Sequence, residues 1–224
     1  MLRVQSHNPD FVFIAVVGVL AFVGFFIFIS ASLGLLARNG IPFSTALLQQ
    51  FLFGIVAGSA LGLACASIPY ERWRAFSPWL FLAAVILGVL VLIPGIGFEH
   101  GGARRWITAG PFSFQPAEFL KFALVIYTAA WLSALGARRS KVTTVMVPVC
   151  IIYTIAAVLL FLQPNMSTLL VISMAVGAML ITAGARIRDL ALLACIFIVG
   201  VTMLATVRPY VFERIQTFFE PSRD

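Results

Sequence analysis

Long stretches without any charge constrain this chain more than any other feature. No Asp, Glu, Lys or Arg lies between Asp10 and Arg38, and none lies from Val142 to Thr182. An ordinary globular domain is about 45–50% apolar and about 25% charged. This chain of 224 residues is 62% hydrophobic and 10% charged. One core cannot hide that excess, because a chain of this size still leaves much of its surface outside. The solvent is therefore lipid. A cytosolic enzyme, a secreted disulfide scaffold and a disordered chain are excluded.

A membrane-crossing helix needs about 20 mostly apolar residues. Seven stretches fit: Phe11–Ile29, Leu47–Ala66, Trp79–Ile96, Phe119–Leu135, Val142–Leu162, Thr168–Ala183 and Leu190–Val207. Gln163-Pro164-Asn165 divides the long uncharged run, since proline lacks an N–H and clashes with the preceding turn. None of the runs alternates polar with apolar residues, as barrel strands do. The expected fold is all-α, a polytopic helix bundle of about seven spans forming a single membrane domain over residues 1–224. The first span is too long for a cleaved signal peptide and lacks a small-residue cleavage site. It reads as an anchor.

Basic residues set the orientation. With the N-terminus in the cytoplasm, Arg3, Arg72, Arg74, Arg138, Arg139, Lys141, Arg186 and Arg188 fall inside, and Arg38, Arg104 and Arg105 outside. Eight against three is the bias of an N-inside protein. The net charge of +7 is thus divided among small loops rather than gathered in a stripe, which excludes a nucleic-acid partner. Cys65, Cys150 and Cys195 lie within apolar spans without CxxC spacing, and His7 and His100 are isolated, so no metal or cofactor site is expected. Helices interrupted by proline keep a transporter among the readings.

Three polar constellations interrupt the apolar pattern. The longest outer loop sets Arg104-Arg105 beside Trp106 and then enters a helix at Gln115-Pro116, a first-turn position that tolerates proline. Its arginines suit either lipid headgroups or a bidentate phosphate contact. Glu118 and Lys121 are three apart on that helix and share a face; they form a structural ion pair or line a cavity. Gln163-Pro-Asn-Met-Ser-Thr168 is either a capped helix–turn–helix or polar backbone facing a cavity. The third constellation, Arg208 to Pro221, reads as an amphipathic interfacial segment or the opening of an outer loop.

Gly102-Ala-Arg-Arg-Trp-Ile, Phe114-Gln-Pro-Ala-Glu-Phe-Leu-Lys121, Gln163-Pro-Asn-Met-Ser-Thr168 and Arg208-Pro-Tyr-Val-Phe-Glu-Arg-Ile closely resemble, in order and spacing, the SEDS family (shape, elongation, division and sporulation) that includes FtsW, RodA and SpoVE. Ser30-Ala-Ser32 and Tyr70-Glu-Arg-Trp-Arg74 fit as well. Gly110-Pro-Phe-Ser-Phe-Gln-Pro-Ala-Glu and Tyr127-Thr-Ala-Ala-Trp-Leu look more like the division member FtsW than RodA. The resemblance implies a multi-pass protein of the bacterial cytoplasmic membrane, at the division septum for an FtsW-like member. It implies an inverting peptidoglycan glycosyltransferase that polymerises lipid II beside a class B penicillin-binding protein and other divisome proteins, in contact with membrane lipids.

The substrate-binding residues that the resemblance implies are Arg104, Arg105, Glu118, Lys121, Gln163 and Asn165. No cofactor is evident, and a divalent cation stays open. Where the family usually has Gln-Pro-Asp followed by Gly-Thr, this chain has Asn165 and Ser167. Family members usually have ten spans, and their essential aspartate lies in the large outer loop after the seventh. The chain is therefore expected to be an N-terminal portion, with no catalytic role for Asp224. The alternatives are a lipid II flippase and an inactive fragment that only binds divisome partners.

Overall fold

The computed structural model describes residues 10–39, 47, 48, 50–100, 103–109, 112–134 and 142–207. The tail from Arg208 to Asp224, the inner basic loop with Arg138, Arg139 and Lys141, and Arg3 and His7 lie outside them. The membrane domain expected over the whole chain is built from two compact units, Met1–Pro69 and Tyr70–Asp224.

The first unit holds helix α1, Phe11–Asn39, and a second helical stretch. Asp10 starts α1: its Oδ1 accepts the backbone N–H groups of Val12 and Phe13, both at 3.0 Å, two of the donors that a helix start leaves orphaned. The helix runs beyond the expected Ile29, because nothing before Asn39 breaks it. The second stretch begins as a π-helix, Gln50–Ala57, and continues as helix α2, Gly58–Ala66. Phe25 of α1 meets Phe51 edge-on at 6.1 Å.

The second unit contains α3 (Tyr70–Leu90), a three-stranded sheet, α4 (Pro116–Ala134), α5 (Val142–Leu162), α6 (Met166–Thr182) and α7 (Ile187–Val207). Among the described residues α1, α3 and α4 are long and apolar enough to cross a membrane, and Gln50–Ala66, Val147–Leu162, Met166–Thr182 and Leu190–Thr202 are shorter apolar helices. Each expected span is helical over most of its described residues. The third is displaced: hydropathy places it over Trp79–Ile96, and the helix occupies Tyr70–Leu90. Pro78 does not start this helix but sits inside it. Its missing N–H would orphan the Arg74 carbonyl, and Ser77 Oγ donates to that oxygen at 2.8 Å instead. After Leu90 the chain turns back, with Gly95 at φ +93°. Gly97 lies so close to the Val91 carbonyl that any Cβ would overlap it.

Strands β1 (Gly97–His100), β2 (Ala103–Ala109) and β3 (Phe112–Phe114) form an antiparallel sheet in the order β1-β2-β3. It adds a small β element to the helix bundle, folded from the loop between the third and fourth spans. Gly101-Gly102, between two short runs of strand-forming residues, is the sequence signal for that hairpin.

The core of this unit lies among α3 to α7 and is rich in small residues: Ala84, Ala117, Ala123, Ala156 and Ala157 are all buried. Lipid is as apolar as leucine, so close packing and interhelical hydrogen bonds, rather than water exclusion, hold membrane helices together. Phe81 of α3 stacks on Tyr127 of α4 with centroids 5.4 Å apart. Tyr153 of α5 bonds Ser173 of α6 at 2.6 Å, and Ser173 Oγ donates onward to the Leu169 carbonyl. The tyrosine is therefore the donor to Ser173. Interhelical bonds of this kind average about 0.6 kcal/mol and reach about 1.7 kcal/mol. Tyr153→Phe is expected to lower stability by about that amount in denaturant titration in mixed micelles. Ser173→Ala on top of it should add little.

Candidate functional site

The site is built where the sheet meets the ends of α3 and α5 and the start of α6. On β1 and β2, Gly97 faces Ile107 and Phe98 faces Trp106, but Glu99 then faces Arg104. The register slips between Phe98 and Glu99, which leaves Arg105 as the extra residue of a β-bulge. Bulges re-aim a side chain, and this one sends Arg105 away from the sheet. Arg105 Nε donates to the Gln163 carbonyl at 3.0 Å, and Nη2 donates to the Pro164 carbonyl at 2.5 Å.

Those oxygens belong to the two residues that follow α5, in the turn into α6. A helix leaves its last carbonyls without internal partners, and its C-terminal end attracts a cation. Arg105 supplies both the donors and the charge from a strand 58 positions earlier. The arginine loop and the Gln-Pro-Asn turn therefore lie at one end of the unit, as the alternating topology of the spans requires.

Gln163 is fully buried, and its Nε2 donates to the Gly88 carbonyl in the last turn of α3 at 2.9 Å. Glycine at 88 eases the close approach, since a Cβ there would come within 3.2 Å of Leu159 Cδ1 and the leucine would have to shift slightly. Asn165 caps α6: its Oδ1 accepts from the Thr168 N–H at 3.4 Å. The capped helix–turn–helix reading is thus correct for this segment. Gln163 Oε1 and Asn165 Nδ2 are buried and have no hydrogen-bond partner among the described residues.

Arg104 keeps its place in the ladder, and its Nε donates to Glu99 Oε2 at 3.0 Å across the hairpin. The two arginines are directed to different partners and do not share one fork. Pro116 opens α4, as its sequence position predicts, and the Glu118 N–H bonds the Gln115 carbonyl at 3.0 Å. Lys121 Nζ lies 2.7 Å from Glu118 Oε2, the i,i+3 pair that the spacing predicts. Glu118 also sits in the first turn of α4, where the helix dipole favours a negative charge.

Of the six residues the sequence singles out, Arg105, Gln163 and Asn165 gather around the α5–α6 turn. Glu118 and Lys121 pair at the start of α4, against which β2 packs. Two participants escape sequence reading: Glu99, whose role depends on the hairpin, and Gly88, which contributes only a carbonyl and an absent Cβ. Among the described residues no three His, Cys, Asp or Glu side chains lie close enough to hold a metal ion.

Hydrogen bonds from a charged donor contribute about 1.5–3 kcal/mol. Arg105→Gln is therefore expected to lower the thermal midpoint in detergent and to speed hydrogen exchange at residues 103–109. Arg105→Lys should recover only part of the loss, since an ammonium cannot span both carbonyls as the planar guanidinium does.

A family model described as cell cycle protein, covering FtsW, RodA and SpoVE, matches residues 10–224. The chain is 32% identical over 216 residues to the probable peptidoglycan glycosyltransferase FtsW of Nitrosomonas europaea, covering 96% of this chain and 56% of that protein. It is 33% identical over 176 residues to stage V sporulation protein E of Bacillus subtilis, covering 79% of this chain and 48% of that one. The chain spans about half the length of the curated relatives it matches. Among solved structures it resembles a chain from a peptidoglycan synthase complex that coordinates polymerization and crosslinking, with a TM-score of 0.71, 26% identity, and coverage of 96% of this chain and 60% of that one. The rod shape determining protein RodA of Thermus thermophilus shares the fold at a TM-score of 0.66 and 24% identity, with coverage of 88% and 59%. From its helical membrane fold, its motifs and these matches, the chain belongs to the FtsW/RodA/SpoVE family of cell cycle proteins.

Proposed function

We propose that this chain is the lipid-pyrophosphate-binding part of a peptidoglycan glycosyltransferase of the division branch, acting on lipid II in the bacterial cytoplasmic membrane at the septum. The observation that carries the reading is the polar site at one end of an otherwise apolar unit. Arg104, Arg105 and Lys121 are cations, and Gln163 and Asn165 are buried amides. In the transfer, the sugar 4-hydroxyl of one lipid II attacks the anomeric carbon of another. The new C–O bond forms as the bond to pyrophosphate breaks, the departing oxygen takes the electron pair, and a general base takes the hydroxyl proton. Positive charge beside the departing pyrophosphate stabilises what develops there. Arg104 and Lys121 suit that role, Glu118 orients Lys121, and Arg105 holds the sheet in place. The general base is not assigned to any residue of this chain.

Membership of the family and the FtsW naming of its relatives support the reaction. A crosslinking enzyme of the class B penicillin-binding type is the proposed partner, supported by the fold match to a chain of a peptidoglycan synthase complex. A lipid II flippase is the second reading, and a reconstituted translocation assay separates it from polymerisation.

Two measurements test the proposal. In the full-length protein, Lys121→Ala and Arg104→Ala are each expected to reduce lipid II polymerisation at least tenfold, roughly the effect of losing 1.4 kcal/mol of transition-state stabilisation. Unchanged rates would refute the assignment. Ser113→Cys on β3 should react from the outer side of intact cells with a membrane-impermeant maleimide, as an N-inside topology requires.

A further inference from the structure

We infer that Glu99 is an internal counter-ion that occupies the phosphate-binding edge of Arg104 and gives way when an anionic lipid headgroup docks on the outer sheet. The inference rests on the lipid-pyrophosphate reading above for its ligand and adds a residue that sets its affinity.

Each of the three cations of the site has an intramolecular partner, but the partners differ. Arg105 donates to two backbone carbonyls of the α5–α6 turn. Lys121 is held by Glu118, whose carboxylate is also favoured by the start of α4. Arg104 is held by a carboxylate that no helix end supports. Glu99 sits on the edge strand β1, beside the register slip, and makes one hydrogen bond to Arg104 through Nε. Both side chains are open to solvent, at 35% for Arg104 and 53% for Glu99. A guanidinium accepts carboxylate and phosphate in the same planar geometry, and prefers the ligand that fills its fork bidentately. An exposed pair of this kind contributes up to about 1 kcal/mol, so a phosphate displaces it at little cost. The carboxylate keeps the arginine extended and shields it from weaker anions.

The test uses the full-length protein in nanodiscs, with farnesyl pyrophosphate as the binding probe and lipid II as the polymerisation substrate. Glu99→Gln is expected to tighten farnesyl pyrophosphate binding and to lower the KM for lipid II roughly two- to fivefold, with the thermal midpoint at most slightly lowered. Arg104→Gln should weaken binding. Adding Glu99→Gln to Arg104→Gln should then change nothing further, because the counter-ion has lost its cation. Unchanged or weaker binding in Glu99→Gln overturns the inference, as does equal tightening in the Arg104→Gln background or the absence of farnesyl pyrophosphate binding in every variant. Polymerisation by the wild type in the last case would leave the proposed function standing. Loss of polymerisation with the binding shift intact would instead remove the function and keep the counter-ion.

Discussion

The end of α5 poses the problem around which the second unit is organised. The chain leaving α5 presents the Gln163 and Pro164 carbonyls in the turn, and at the edge of a membrane such groups cannot be left to hydrocarbon. Arg105 answers from the sheet with two hydrogen bonds, and Gln163 answers from the turn with one to α3. Those three bonds join the sheet, α3, α5 and the start of α6 at one end. The β-bulge, the glycine at 88 and the Asn165 cap are all consequences of bringing those elements together.

Satisfying backbone in this way gives a polar site without a polar core. The side chains that stabilise the turn are one arginine and two amides, Arg105, Gln163 and Asn165. Within the bundle the same economy is seen at Tyr153 and Ser173, where one hydroxyl relays another to a carbonyl. Elsewhere the helices rely on alanine and glycine to approach closely, as expected where lipid offers no hydrophobic gain.

Much of this arrangement is legible in the order of residues alone. The extent of α5, Val142–Leu162, follows from the charge-free run and its closing Gln-Pro. Pro116 as the first residue of α4, and Glu118 with Lys121 on one face, follow from helix-start rules and from spacing. The third span is harder to place. Pro78 has the character of a boundary, yet the helix passes through it, with the Ser77 hydroxyl bonding the carbonyl that proline abandons. The sheet is hard to see for a different reason: its strands are short, and a Gly-Gly pair in a loop signals backbone freedom as readily as it signals a hairpin.

The sequence by itself determined the solvent, the helical class, the order of the spans and the family, because charge placement and helix length are properties of the chain in one dimension. Tertiary structure decided which partner each arginine of the outer loop takes. Arg104 and Arg105 are neighbours in sequence with identical chemistry, yet one-residue slippage in a strand ladder sends one to Glu99 and the other to the turn after α5. That choice depends on register and on where a distant helix ends. Neither is encoded in the local pattern of residues around the arginines.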